Sequence, residues 1–397
     1  MSSRTDMLDG PLIVNATAIG HRVDGIAVYG VNLVKALWRA RVDRPLTVVL
    51  NEDARRFFPE SEIPAGASIR WVGARLSPSR GTAGNVRRVL FANYLARQHR
   101  NALVFGLSQL EAPIVGGRGL VTVHDLIPWL FRDVHPRQYY FYRHYLGRAL
   151  NHACAVVAPS QSTKDDVVRH YGIEASRVHV IPHGSPVPTS GCATPMQHGD
   201  RFILWIGRST PTKNLPALLT AFRTIERQMD VRLVIAGEGS PVDVRASGVD
   251  HGSLGRVTVL GPVSDAEKIA LLDRASVLVC PSLYEGFGFA PLEAMARGCP
   301  VVAGCTGALP EVCGDAALYV DPRQPVEIAD ALLRVLTHPD LSRDLGERGH
   351  RRATALTWEA SVRAHLAVID RVSRLDQRGR SAPASNLDQR IEADVLP

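Results

Sequence analysis

The chain has 397 residues, 45% of them apolar and 21% charged, with a formal net charge of +7. That length exceeds the roughly 100–200 residues of one ordinary domain, so two domains with separate cores are expected, and the composition excludes fibrous and wholly disordered classes. No stretch reaches the about 20 unbroken apolar residues of a spanning helix, and the opening MSSRTDMLDGPLIVNATAIG does not read as a secretory signal. The expectation is a cytoplasmic protein whose membrane contact, if any, is peripheral.

From the start, short apolar runs alternate with helix-length amphipathic segments. LIVNA, LTVVL, SIRWV, ALVFG, LVTVHD, AVVAPS and VHVIPHG read as strands, with YGVNLVKALWRA and STKDDVVRHYG among the crossover helices. Such runs suit parallel strands covered on both faces. Residues 1–184 are therefore expected to form an N-terminal Rossmann-like domain. Inside it, residues 66–110 hold seven arginines (Arg70, Arg75, Arg80, Arg87, Arg88, Arg97, Arg100) and no Asp or Glu. NVRRVLFANYLARQHR reads as a helix with Val86, Leu90, Phe91, Tyr94 and Leu95 on or near one side and arginines on the other. Two readings stand: an ordinary surface helix, or contact with anionic lipid or a phosphorylated acceptor through Arg87 and Arg88. Nucleic acid is not an expected partner, because no nucleic-acid module accompanies the charge.

Residues 184–200, GSPVPTSGCATPMQHGD, lack periodicity and are rich in Pro, Gly, Ser and Thr, which places an interdomain linker at 185–200. A second series follows: RFILWIG, NLPALLTAFRTI, RLVIAG, VTVLG, DAEKIALLDRA, SVLVCPS, PLEAMARG, VVAG and AALYVD. It predicts a second α/β sheet domain over 201–357. A helix at 358–376 is expected to pack back on the first domain, and the polar tail 377–397 is expected to be disordered. The six cysteines contain no CxxC pair and are expected to be reduced and buried.

In open α/β sheets ligands bind beyond the carboxyl ends of the strands, so the loops there carry the candidate residues. After SVLVC come Glu285, Gly286 and Gly288, then Pro291, suited to the first helical turn. With Pro291 as first residue, Glu293 is the third. The N–H groups around Phe287, Gly288, Phe289 and Ala290, with the positive end of the helix dipole, form a diphosphate site. Glu293 can accept hydrogen bonds from two ribose hydroxyls, and Glu285 from sugar hydroxyls. A helix-start carboxylate and a solvated loop residue are the plainer readings of the two. Arg208 and Lys213, in GRSTPTKN, would emerge from the end of their strand and neutralise a departing diphosphate. Single loop cations are more commonly solvated. His124 and Asp125 end LVTVHD, and Gly25 precedes a helix where its N–H can meet phosphate or sugar. The nucleotide base is expected against residues 261–264, including Val263.

The string from Glu285 to Glu293, E-G-F-G-x-x-x-x-E followed by A-x-x-x-G-x-P-V-V, resembles the signature of family 4 retaining glycosyltransferases of GT-B fold. GRSTPTKN is similar to that family's G-R-x-x-x-x-K-N, VHDLIP to its V-H-D-x-x-P, and ALPEVCGDAALYVDP to its L-P-E-V-x-G-D-A-A. The resemblance implies two Rossmann-like domains with parallel sheets facing across a cleft, 1–184 binding the acceptor and 201–357 the nucleotide sugar. It also implies a catalytic set of Glu285, His124, Arg208 and Lys213, with His124 reaching the transferred sugar from the acceptor side and the cations on the leaving diphosphate. Retention without a covalent nucleophile implies front-face attack, the departing phosphate taking the acceptor proton. Ala27 stands where the family frequently has a second glycine.

Overall similarity leans towards bacterial mannosyltransferases of polysaccharide and lipopolysaccharide assembly. GDP-mannose is the first donor choice and a UDP-hexose the second, the acceptor being a sugar or a polyprenyl-diphosphate-linked oligosaccharide on the inner membrane face. The D-x-D metal motif does not occur, and neither metal nor cofactor is expected. A nucleotide-sugar 2-epimerase and a non-catalytic carbohydrate-binding protein are the competing readings. A NAD dehydrogenase would need a G-x-G-x-x-G that LIVNATAIGHRVDG lacks.

Overall fold

The computed structural model describes residues 10–21, 24–40, 42–116, 118–189, 201–237 and 255–381. The apolar runs of the first half become β1 (Leu12–Asn15), β2 (Leu46–Asn51), β3 (Ser68–Val72), β4 (Leu103–Gly106), β5 (Arg118–Thr122), β6 (Ala155–Ala158) and β7 (Val178–Val180). They form one parallel sheet in the order β3-β2-β1-β4-β5-β6-β7. β1, β4 and β6 are buried at every residue. Both faces are covered, which is why their sequences run apolar without alternation.

The second half repeats the plan with β8 (Phe202–Ile206), β9 (Arg232–Ala236), β10 (Val257–Gly261), β11 (Val277–Cys280), β12 (Val301–Gly304) and β13 (Ala317–Val320). This sheet is also parallel, in the order β10-β9-β8-β11-β12-β13. In each sheet the strand order reverses beside the first strand, between β1 and β4 and between β8 and β11. Those reversals open a crevice at the carboxyl ends, because successive crossovers leave in opposite directions.

The first core gathers Leu12, Val14, Leu50 and Phe105 from the sheet with Leu33 and Leu37 from α1 (Gly25–Arg39). Trp358, Val362, Ile369 and Val372 complete it from the last helix, Trp358–Ser381. Each such side chain withdrawn from water contributes about 1.5–3 kcal/mol. That helix runs five residues past 376, as no proline interrupts it before Pro383. Residues 190–200 of the expected linker and 382–397 of the expected tail lie outside the described residues. Among the described residues no helix is long and apolar enough to cross a membrane. Cys280, Cys299 and Cys313 are buried free thiols; Cys154 and Cys305 are exposed, contrary to expectation, because they sit at the turns bordering β6 and β12. Cys192 falls outside the described residues.

Candidate active site

The turn after β11 leads into the helix Phe289–Ala296. Gly288 caps it at φ 110°, a backbone region that favours glycine. Pro291 is therefore the third helical residue and Glu293 the fifth, two positions later than expected. The leading N–H groups have no partner within the helix, and those of Phe289 and Ala290 precede the proline. A side chain at Gly286 would put Cβ 2.0 Å from the His124 carbonyl oxygen. Glycine there allows the two domains to touch.

Glu285, 8% exposed, accepts hydrogen bonds from Lys213 Nζ at 2.5 Å and Ser282 Oγ at 2.7 Å. Burial is the largest single influence on Lys213 and lowers its pKa, but the charge and hydrogen bond of Glu285, joined by Cys280 and Asp125, together raise it, so the ammonium persists. Asn214, left-handed at φ 57°, donates to the carbonyls of Pro281 at 3.1 Å and Pro322 at 2.6 Å. Those two bonds tie the Lys213 turn to the ends of β11 and β13. Arg208 is exposed at the lip, where its charge acts on His135.

Glu293, 4% exposed, accepts from Lys268 Nζ at 2.7 Å, and Lys268 also lies 3.3 Å from Asp265. Burial raises the Glu293 pKa and Lys268 opposes it. Sequence reasoning missed Lys268. Its signal was there: Ser264 and Glu267 form a capping box that starts the helix Asp265–Arg274, and Lys268 lies on its first turn. Val263 is half-buried against the second-domain core.

On the acceptor side, His124 Nε2 lies 2.8 Å from the Leu107 carbonyl oxygen. Burial drives its pKa down to about 4 against that backbone contact, leaving a neutral imidazole near pH 7. Asp125 accepts from the Ile127 N–H at 2.9 Å, and burial raises its pKa to about 6. Gly25 opens α1 behind the cap Asp24, whose carboxylate accepts from the Ala27 N–H at 2.9 Å. A Cβ on Gly25 would lie 3.7 Å from the Phe289 ring, so the two loops meet.

Further bonds join the domains. Ser160 Oγ donates to the Gly286 carbonyl at 2.8 Å, and the Tyr284 hydroxyl donates to Asp166 at 2.5 Å. The Glu311 carboxylate accepts from the Gln161 and Ser162 N–H groups, each at 2.6 Å. His183, another residue the sequence did not single out, stacks on Phe289 with centroids 5.3 Å apart. Tyr29 packs on its ring at 4.5 Å and bonds His365 at 3.0 Å, which links the donor turn to the last helix.

Arg88 does not face a membrane. It is 4% exposed on α2 (Gly81–Gln98) and lies 3.8 Å from the fully buried Glu111. Glu111 also accepts from Thr17 Oγ1 at 2.9 Å and the Ser108 N–H at 3.0 Å. Neighbouring residues of a helix point about 100° apart, so Arg88 turns inward with Ala92 and Leu95 while Arg87 turns outward. Val86, Leu90 and Tyr94, a stripe at four-residue spacing, are 54%, 64% and 49% exposed.

Residues 23–186 match the family model described as Glycosyltransferase Family 4, and residues 193–352 the one described as Glycosyl transferases group 1. O-antigen chain mannosyltransferase B of Escherichia coli is 30% identical over 256 residues, 61% of this chain and 67% of that one. The chain belongs to the group 1, family 4 glycosyltransferases. A second relative of this glycosyltransferase, MMP alpha-(1->4)-mannosyltransferase of Mycolicibacterium hassiacum, is 30% identical over 59% of this chain; the chain spans 58% of that relative's length. Among solved structures, sucrose-phosphate synthase from Thermosynechococcus elongatus superposes with a TM-score of 0.71 at 20% identity, over 94% of this chain and 100% of that one. Anabaena HepE in complex with UDP and glucose gives 0.68 at 15% identity, over 91% and 99%. The glycosyltransferase therefore has the GT-B fold.

Proposed function

We propose that this glycosyltransferase moves a hexose, with mannose from GDP-mannose as first choice, to a sugar or polyprenyl-diphosphate-linked oligosaccharide in cell-surface polysaccharide assembly. The observation that carries the reading is the cluster of Glu285, Lys213 and Ser282 at the mouth of the helix that holds Glu293. An arriving diphosphate competes with Glu285 for Lys213 and meets the N–H groups of Phe289 and Ala290. Arg208 adds its charge from the lip. Glu285, released from Lys213, accepts bonds from the donor sugar hydroxyls, and Glu293 accepts them from the ribose.

The bond between the anomeric carbon and the diphosphate oxygen then breaks, and the acceptor oxygen bonds that carbon from the same face. Its proton passes to the departing phosphate, so configuration is retained, no protein nucleophile is needed and no metal is called for. Burial keeps His124 uncharged, which suits a hydrogen bond to a neutral sugar hydroxyl. The interdomain bonds exclude water from the donor, which suppresses hydrolysis.

A UDP-hexose donor is the second reading, favoured by the likeness to a structure holding UDP and glucose. The apolar stripe Val86, Leu90 and Tyr94 with exposed Arg87 and Arg97 beside it supports peripheral docking on an anionic cytoplasmic membrane face. The deciding test is thermal stabilisation by GDP, UDP, ADP and the two nucleotide sugars in the presence of a chelator. GDP is expected to stabilise most, and Glu293→Ala to abolish the rise. A larger rise with UDP selects the second donor, and no rise with any nucleotide refutes the reading.

A further inference from the structure

Just beyond the strand end that carries His124 and Asp125, the chain curls around a recess of about 410 Å³. That volume lies within the about 300–1,000 Å³ usual for small-ligand sites. Trp129, Phe131, Arg132, Asp133 and Tyr139 are among the residues that line it. The indole is held from several directions: its Nε1 donates to His170 Nδ1 at 3.1 Å, and its ring lies 5.7 Å from Tyr139 and 5.5 Å from Tyr171. A wall fixed in this way offers apolar area at little cost in side-chain entropy.

At the rim, Arg132 and Asp133 stand together at 3.8 Å with their side chains 69% and 97% exposed. A pyranose ring presents a C–H face for an aromatic wall and a girdle of hydroxyls, each able both to donate and to accept. A guanidinium and a carboxylate side by side answer both needs. A lipid chain would leave that pair unused.

The recess also borders the chemistry. The Phe131 ring lies 6.4 Å from Tyr284, the residue before Glu285. His135, four residues further on, has its pKa lowered by burial and then by the charge of Arg208. One edge of the loop thus packs by the donor turn, and another feels the charge of Arg208.

We propose that this recess holds the accepting hexose of a neutral oligosaccharide, stacked on the Trp129 and Tyr139 wall and hydrogen-bonded by Arg132 and Asp133. It rests on the glycosyltransferase reading and adds where the acceptor sits. The occupied recess turns a hydroxyl of that hexose towards the cleft.

The test titrates α-linked mannotriose into the GDP-loaded protein by calorimetry, comparing the full-length wild type with the double variant Arg132→Ala, Asp133→Ala. Both positions are exposed, so the fold and the thermal shift given by GDP should be unchanged. Saturable binding that weakens at least tenfold in the variant is the expected result. Mannotriose binding that is undetectable in the wild type, or equal in both proteins, overturns the proposal. Loss of anionic-vesicle binding in the variant with mannotriose binding unchanged overturns it in favour of a lipid site. If neither GDP nor UDP shifts the wild-type melting point, it is the underlying transferase reading that fails.

Discussion

Replacing Arg88 by methionine keeps most of the aliphatic stem and removes the charge from a pair at 4% and 0% exposure. Breaking one partner out of a buried pair costs about 3–5 kcal/mol. Glu111 keeps its bonds from Thr17 and Ser108, so the low end, about 3 kcal/mol, is expected. For a domain of this size that corresponds to a fall in Tm of about 6–12 °C.

The pH dependence makes the prediction specific. Burial raises the Glu111 pKa from 4.5 to about 7 although Arg88 opposes the rise. A carboxyl whose pKa is higher folded than unfolded contributes most stability below about 4.5 and loses it as pH climbs through the folded value. Wild type completes that loss just above neutrality; without Arg88 the folded pKa is higher still and the loss continues. The deficit of the variant should therefore widen above pH 7 by up to about 1.4 kcal/mol per pH unit. Thermal melts at about pH 6 and pH 8.5 read this directly. Arg87→Glu, one residue away on the outer face, should leave both melts unchanged and lower salt-sensitive binding to anionic vesicles. An Arg88→Met deficit that is equal at the two pH values, or absent, refutes the reasoning.

Glu285→Gln preserves shape but gives up the charge paired with Lys213; transfer should drop about 100- to 1,000-fold while the GDP thermal shift survives. Near-normal turnover in that variant would remove Glu285 from the chemistry. Gly286→Ala places a methyl 2.0 Å from the His124 carbonyl oxygen and 2.8 Å from Asp125 Cβ, so the domains must part. A displacement of this kind can cost about 100-fold in kcat, measured by nucleotide release, with circular dichroism unchanged; wild-type kcat would show that the contact is dispensable.

The strands were legible because most carry a short apolar run bounded by turn residues, and the Glu285 string because its glycines and carboxylates occur at fixed spacing. Spacing also located the helix that follows but misplaced its start by two residues. Proline is tolerated anywhere in a first turn, and only the φ of Gly288 shows that the helix begins at Phe289. Arg88 was misread because its partner Glu111 lies 23 residues on and across a strand, where composition by segment shows only the arginines. Lys268 and His183 escaped for a related reason. Each acquires meaning through a residue of another element, Glu293 for one and the Phe289 ring for the other.

The helix Trp358–Ser381 lends Trp358, Val362, Ile369 and Val372 to a core whose other members begin at Leu12. The ribosome delivers those four side chains last. The second domain draws its two cores from residues 187–353 and can close them before the helix emerges. The first domain, although synthesised first, must wait with one side of α1 uncovered, including Tyr29 without its bond to His365. Completion of the two domains thus runs against the order of synthesis, and a nascent chain stalled before residue 358 presents an apolar face that a chaperone, or another stalled chain, would find.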